Sequence, residues 1–233
     1  MPSDPRKIAI IPARGGSKRF PRKNIALLGN KPLIHHTIEA AIQSGIFDEV
    51  IVSTEDTEIA SLASVIEGIT VDIRPAHLAT DTARIRDVCE EILQRDLYQN
   101  VESFCVLLAT SALRTEEHIK DSHQLFVKGH DFVASVTDYF FYPHAAIVDQ
   151  DGIGKHFFKE MAYAQGQDIP NFKVENGAIN WCNKQAFLKQ REFFGNNTAL
   201  YYMDRRFSID IDTPEDFWLM QAVYEKLNKN EEQ

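Results

Sequence analysis

Lys7-Ile8-Ala9-Ile10-Ile11-Pro12-Ala13-Arg14-Gly15-Gly16-Ser17-Lys18-Arg19-Phe20-Pro21-Arg22-Lys23-Asn24 passes from an apolar run into a basic, glycine-containing loop. The apolar part, Ile8 to Ile11, is too short for a helix and reads as a buried strand. Its carboxyl end opens at Gly15-Gly16, where missing Cβ atoms let backbone N–H groups approach a ligand. Arg14, Lys18 and Lys23 supply cationic donors for phosphate oxygens, and Ser17 a hydroxyl. In an open α/β sheet, ligands bind beyond the carboxyl ends of the strands, where this loop falls. The alternative is a basic surface turn. GxxxxGK[ST] cannot be laid on the loop and GxGxxG is absent, which sets aside a Walker-type loop and a nicotinamide fingerprint.

Outward from this strand the same rhythm continues. Residues 32–44 place Leu33, Ile34, Ile38, Ala41 and Ile42 on one helical stripe, and Gly45 suits the C-cap that ends it. Short apolar runs at 50–54, 70–73, 104–108 and 132–137 predict strands, while 59–66, 85–98 and 115–127 predict helices. Such alternation is the βαβ pattern of an α/β fold: a Rossmann-like, mixed and mostly parallel sheet with helices on both faces. The rhythm fails at 138–175, which holds Tyr139, Phe140, Phe141, Tyr142, Phe157, Phe158, Tyr163 and Phe172. A stretch this aromatic is expected to bury itself, either as a lobe over the site or against a second subunit. We expect one domain over 1–233, with a protruding element inserted at about 138–175 that makes a homodimer. Strands at 178–182, 200–203 and 208–211, with helices from Lys184 and over 214–227, complete the pattern.

The chain of 233 residues is 44% hydrophobic and 25% charged, the balance of a globular domain. Its net charge of −9 argues against nucleic-acid binding. No apolar run approaches the roughly 20 residues of a bilayer span, so no membrane association is expected, and the polar start is no secretory signal. Cys89, Cys105 and Cys182 are odd in number and widely spaced, so they read as apolar filler in a cytoplasmic protein. The distribution of charge says more than its sum. Eight of the 25 Lys and Arg residues fall within 5–38, where Asp and Glu are absent, leaving 17 against 34 acidic residues elsewhere. A positive segment on an acidic chain suits a small polyanion held locally, although a solvated basic face has the same composition.

Ser208-Ile209-Asp210-Ile211-Asp212-Thr213 carries the second constellation. On a strand, Asp210 and Asp212 would project together while Ile209 and Ile211 face the core. Neighbouring carboxylates repel unless they share a proton or a cation. A hard divalent ion such as Mg2+, bridging to substrate phosphates, is the resolution we expect. Thr213-Pro214 with Asp216 reads as a helix N-cap, which gives Asp212 the alternative role of an acid favoured by the helix dipole. Arg74 follows a strand and suits either a phosphate contact or the orientation of a loop. Asp81 or Thr82 is expected to start the next helix. Asn176-Gly177-Ala178-Ile179 offers an amide suited to sugar hydroxyls.

Together these pieces resemble the acylneuraminate cytidylyltransferase family, the CMP-sialic acid and CMP-nonulosonic acid synthetases. The resemblance covers nearly the whole chain. It is carried by IAIIPARGGSKRFPRKNI (8–25), FDEVIVSTED (47–56), RPAHLATDTA (74–83), LRT (113–115), NGAI (176–179) and SIDIDTPED (208–216). It implies a sheet of the nucleotide-diphospho-sugar transferase type and transfer of CMP from CTP to the anomeric hydroxyl of a nonulosonic acid, releasing pyrophosphate. It implies nucleotide contacts from Arg14, Gly15, Gly16, Ser17, Lys18, Lys23, Asn24 and Arg74, with Arg14, Lys18 and Lys23 neutralising charge during transfer. Asp210 and Asp212 would hold magnesium. On the sugar side the chain departs from the pattern: Ala109 stands where glutamine is common, Asn180 where tyrosine follows NGAI, and Gly166 where a basic residue is expected. Asn176, Ala109 and Asn180 mark the expected sugar site, and a nonulosonic acid other than N-acetylneuraminate is implied, legionaminate-like ahead of pseudaminate. A 3-deoxy-manno-octulosonate cytidylyltransferase is the runner-up, at odds with the PARGGSK and SIDID spellings. A non-catalytic nucleotide-binding relative is the other, and the intact Lys18, Lys23, Asp210 and Asp212 speak against it.

Overall fold

Ile8, Ala9, Ile10 and Ile11 are all wholly buried, as a strand covered on both faces requires. In the computed structural model, which describes residues 6–139 and 143–231, they form β1 (Arg6–Pro12). β2 (Leu27–Leu28) and β3 (Lys31–Pro32) make a small hairpin that leads into α1 (Leu33–Ser44). There follow β4 (Glu49–Thr54), α2 (Thr57–Ser64), β5 (Ile69–Ile73), α3 (Ile85–Leu93), β6 (Val101–Val106), α4 (Glu116–Phe126) and β7 (Phe132–Asp138). A hairpin of β8 (Ile147–Gln150) and β9 (Ile153–His156) precedes β10 (Lys173–Asn183), α5 (Lys184–Gln190), β11 (Thr198–Tyr202) and α6 (Pro214–Glu231).

The main sheet has seven strands in the order β11-β7-β10-β6-β1-β4-β5. β10 alone runs antiparallel to its neighbours; the other pairings are parallel, so the expected mixed, mostly parallel α/β sheet is present. The carboxyl ends of β1, β4, β5 and β6 therefore open at one edge, and their following loops gather there. Ile34, Ile38 and Ile119 of α1 and α4 pack on one face over Ala9, Ile11, Val52 and Trp181. Val88 and Ile92 of α3 and Phe187 of α5 cover Ile8, Ile10 and Phe104 on the other. Each such side chain, fully buried, contributes about 1.5–3 kcal/mol. A third cluster joins Leu28, Leu33, Leu113, Ile211 and Met220, and so pins the segment before α6 against the turn that follows β6.

Most local expectations hold. α1 ends at Gly45 with φ 64°, a conformation glycine adopts without steric cost. The helix expected over 59–66 lies two residues earlier, because Asp56 caps it by accepting from the N–H groups of Glu58 and Ile59 at 2.9 and 3.0 Å. Thr213 and Asp216 cap α6 reciprocally: the Asp216 carboxylate accepts the Thr213 N–H at 2.8 Å and the Thr213 hydroxyl accepts the Asp216 N–H at 3.3 Å. Asp151-Gly152 turns the β8–β9 hairpin with φ of 56° and 82°, the pair of positive values that a tight two-residue turn needs.

Three further expectations are corrected. The helix expected over 85–98 stops at Leu93, and Asp96–Tyr98 is a separate 3-10 turn that brings the Tyr98 ring into the core. The strand expected at 104–108 lies at Val101–Val106, so Leu107 and Leu108 already belong to the turn beyond it. Residues 208–211 are not a strand. The Ser208 hydroxyl folds back onto the Met203 and Asp204 carbonyls, and the Ile211 N–H is tethered to the Thr110 carbonyl at 3.3 Å. In the aromatic excursion, Phe140, Phe141 and Tyr142 lie outside the described residues. Phe157, Phe158 and Tyr163 remain 63%, 39% and 88% exposed, so within one chain this stretch does not bury itself. Among the described residues, no helix is long and apolar enough to cross a membrane.

Candidate active site

The loop after β1 is braced from within. Asn24 is buried and donates through Nδ2 to the Arg14 carbonyl at 2.9 Å, tying the two ends of the loop together. The Gly15 N–H donates to Glu55 Oε1 at 2.8 Å, and a Cβ at Gly15 would collide with the Asp56 side chain. Packing against the β4–α2 junction is thus what requires glycine at this position, and its N–H is already engaged. Gly16 has open space around it. Arg22, left-handed at φ 60°, staples the loop to the same junction through ion pairs with Asp56 and Glu58.

The cations of the loop reach two carboxylates. Lys23 Nζ donates to the Ile211 carbonyl at 2.7 Å and to Asp212 Oδ1 at 2.9 Å, while Arg19 meets Asp212 Oδ2 at 2.8 Å. Arg14 and Lys18 converge on Asp81 at 3.0 and 2.5 Å. The Lys18 ammonium, with Arg14 beside it, holds the Asp81 carboxyl below the usual carboxylate range. Asp81 therefore does not start a helix as expected: α3 begins at Ile85, where Asp87 Oδ2 accepts the Arg84 N–H at 3.0 Å. Arg74 is 7% exposed and donates to the Ser53 carbonyl at 2.8 Å, so its guanidinium orients the loop after β5 while its edge lines the cleft. Burial lowers its pKa, with Glu55 and Asp72 opposing.

Asp210 and Asp212 have unlike environments. Burial pushes Asp210 above the usual carboxylate range, against a hydrogen bond from Thr110 and the charge of Lys23. Among the described residues its Oδ1 has no hydrogen-bond partner. Asp212 is also raised by burial, but Lys23 and Arg19 outweigh this and hold it low. A buried carboxylate oxygen without a donor is costly, and a hard cation is a fitting partner for it. Among the described residues no group of three His, Cys, Asp or Glu comes together, so an ion here would take its remaining ligands from substrate and water.

These groups border a cleft of about 310 Å³ that gathers Arg14, Ser17, Lys18, Lys23, Asn24, Arg74, Ala109, Asp210 and Asp212, nine of the sequence-predicted site residues. Gly15 and Gly16 belong to the loop but do not line it. A second cleft of about 430 Å³ shares Asp210 and adds Thr137, Asp138, Val174, Glu175, Asn176, Gly177 and Ser208. Asn176 lies here with its amide engaged: Oδ1 accepts from the Ser135 hydroxyl at 2.5 Å and Nδ2 donates to the Ser208 hydroxyl at 2.9 Å. Asn180, in β10 opposite Val106 and Ala134, lines neither cleft. The sequence reading missed Thr110, Arg84 and the Arg19–Asp212 pair. Arg114 stood in the LRT match without a role of its own. Arg114 is buried and donates to the Ala178 carbonyl at 2.7 Å, locking the turn that carries Thr110 to β10. Arg19 was visible as part of the basic run; the others depend on loops far apart in the chain.

Comparison with known proteins agrees with this architecture. A family model described as cytidylyltransferase matches residues 8–233. The N-acylneuraminate cytidylyltransferase of Streptococcus agalactiae serotype III is 36% identical over 95% of this chain, and the chain spans 56% of that relative's length. The pseudaminic acid cytidylyltransferase of Campylobacter jejuni serotype O:2 is 32% identical, covering 94% of this chain and 96% of its own. The CMP-N,N'-diacetyllegionaminic acid synthase of Legionella pneumophila is also 32% identical, over 94% and 97%. A CMP:2-keto-3-deoxy-manno-octonic acid synthetase solved with CTP shares the fold, with a TM-score of 0.71 over 95% of this chain and 99% of its own, at 16% identity. The chain belongs to the cytidylyltransferase family, within the group that holds the acylneuraminate, pseudaminate and legionaminate enzymes.

Proposed function

We propose that the chain transfers CMP from CTP to the anomeric hydroxyl of a nonulosonic, sialic-acid-like sugar and releases pyrophosphate. The observation that carries this reading is Asp210, whose unpartnered buried oxygen stands where a cationic cleft meets an acidic one. A triphosphate suits the first: Arg14, Lys18, Arg19 and Lys23 offer N–H donors to its oxygens once Asp81 and Asp212 yield them. Ser17 and the open backbone at Gly16 add neutral donors, and Asn24 and Arg74 hold the walls. The sugar takes the second cleft beside Asn176, with Ala109 lining the first. Asp210 and Asp212 would hold Mg2+, which when bound neutralises charge on the triphosphate. Asp212 enters that role by releasing Lys23 or Arg19, since both its oxygens are engaged. The chain's own part is to fix the α-phosphorus against the acceptor hydroxyl and to present positive charge as pyrophosphate leaves.

The same reading makes 138–175 a dimerisation element. Ile147, Ile153, Phe157 and Tyr163 are each more than half exposed in the single chain, and an apolar patch of this kind calls for a partner surface. A cytoplasmic setting is supported by three free, buried thiols. Incubation with CTP, Mg2+ and a panel of N-acetylneuraminic, legionaminic, pseudaminic and 3-deoxy-manno-octulosonic acids, read by pyrophosphate release, tests the proposal. Release with any of the first three supports it. Release with the octulosonate alone favours the runner-up, and silence with CTP bound marks a non-catalytic nucleotide binder.

A further inference from the structure

The second cleft contains a hydroxyl that the fold leaves unused. Thr137, at the end of β7, is 8% exposed, and its Oγ1 has no hydrogen-bond partner although it lines the cleft. Most other polar side chains there are engaged. Asn176 is bonded to Ser135 and Ser208, and the Ser208 hydroxyl donates to the Met203 and Asp204 carbonyls. Asp138 pairs with Lys173 and accepts from the Tyr202 hydroxyl at 2.8 Å. That leaves the Thr137 hydroxyl and Asp210 Oδ1 without a hydrogen-bond partner among the described residues, while Glu175, paired in register with Val136, projects from the opposite face of β10. Among the described residues, no Lys or Arg lines it.

A buried hydroxyl without a partner is unfavourable, and a ligand that supplies one removes the cost on binding. An anionic ligand group would meet the Asp210 carboxylate and no cation. An apolar group would leave Thr137 unpaired. A ligand hydroxyl satisfies Thr137, since each group can donate to or accept from the other. We infer that Thr137 is a specificity-determining residue that reads a hydroxyl-bearing part of the acceptor sugar. This rests on the sugar-transfer reading above. A site built to hydrogen-bond a hydroxyl discriminates strongly against the analogue that lacks it, because the protein group is then left unpaired.

The test compares kcat/KM for an active nonulosonic acid and for its analogue lacking the exocyclic hydroxyls, at saturating CTP and Mg2+. The wild type is expected to prefer the hydroxylated acid by about tenfold or more. Thr137→Val keeps the shape and the β-branch and removes only the hydroxyl. It is expected to abolish most of that preference by raising the KM for the hydroxylated acid, with kcat and the KM for CTP unchanged. Thr137→Ala, which removes the hydroxyl without adding volume, is expected to reduce the same preference; it decides the matter if Thr137→Val fails to fold. Wild-type turnover with no preference, or a preference unchanged in both variants, overturns the inference while leaving the transfer reading intact. Failure of the wild type to release pyrophosphate with any sugar acid overturns both.

Discussion

The two clefts that meet at Asp210 are built on opposite electrostatic plans. On one side Arg14, Lys18, Arg19, Lys23, Arg74 and Arg84 line the wall; on the other, among the described residues, the charged lining groups are Asp138, Glu175 and Asp210 itself. The first has four of its cations shared between two carboxylates, Asp81 and Asp212, and keeps a positive excess. A polyanion entering there exchanges one set of oxygens for another. The second keeps an unpaired carboxylate oxygen and a buried hydroxyl, so it suits the neutral, hydroxyl-bearing part of a ligand. The contrast separates a charge-matching half from a shape- and hydroxyl-reading half, with one carboxylate common to both.

The largest effect is expected where the halves join. Asp210→Asn should lower pyrophosphate release by roughly 10²- to 10³-fold, the scale of losing one preorganised electrostatic group. Its melting temperature should not fall, because a desolvated carboxylate has been removed. Activity near wild type would show that the junction is not the reaction centre. Arg114→Met attacks the wall between the clefts. It leaves the Ala178 carbonyl without its donor and should cost about 2–3 kcal/mol in urea unfolding. Gly15→Ala presses a methyl group on Asp56 and should destabilise by about 1–3 kcal/mol, disturbing the cationic cleft alone.

Asp56 supplies a pH test of that same wall. Burial raises its pKa, but the Ile59 N–H, the Arg22 guanidinium and the Glu58 N–H outweigh this and hold it below the usual range. A carboxylate with a depressed folded value contributes stability above the unfolded value of about 4 and loses it as pH falls through the folded one. Asp56→Ala should therefore cost about 1 kcal/mol at neutral pH, and the gap to wild type should close below pH ~4. The smallest effect belongs to Asp81→Asn. Freeing Arg14 and Lys18 from an exposed partner should tighten CTP binding by about two- to fivefold, measured by titration calorimetry at low salt. It should leave the affinity for sugar unchanged.

How far the sequence could be read follows the same division. β1, α1 with Gly45, the capped α6 and the cationic loop are local patterns, and each lies where periodicity and capping chemistry put it. The pairing of Asp210 with Asp212 was also legible, though as a strand rather than the looped segment that Ile211 and the Thr110 carbonyl hold in place. Asp81 could not be read as the counter-ion of Arg14 and Lys18. That contact depends on the loops after β1 and β5 meeting at one edge of the sheet, and a spacing of 67 residues leaves no local trace. Thr137 was equally silent. Its hydroxyl becomes an unpaired buried group only because β7 is flanked by β10 and β11, and nothing in Phe132–Asp138 itself separates that threonine from any other strand residue.

The most direct measurement is 31P NMR of the intact protein with CTP, Mg2+ and the sugar-acid panel. The account predicts that the three CTP resonances give way to pyrophosphate and a single phosphodiester signal, in equal amounts, only when a nonulosonic acid is present. CTP resonances that shift on binding but persist with every acid would contradict it.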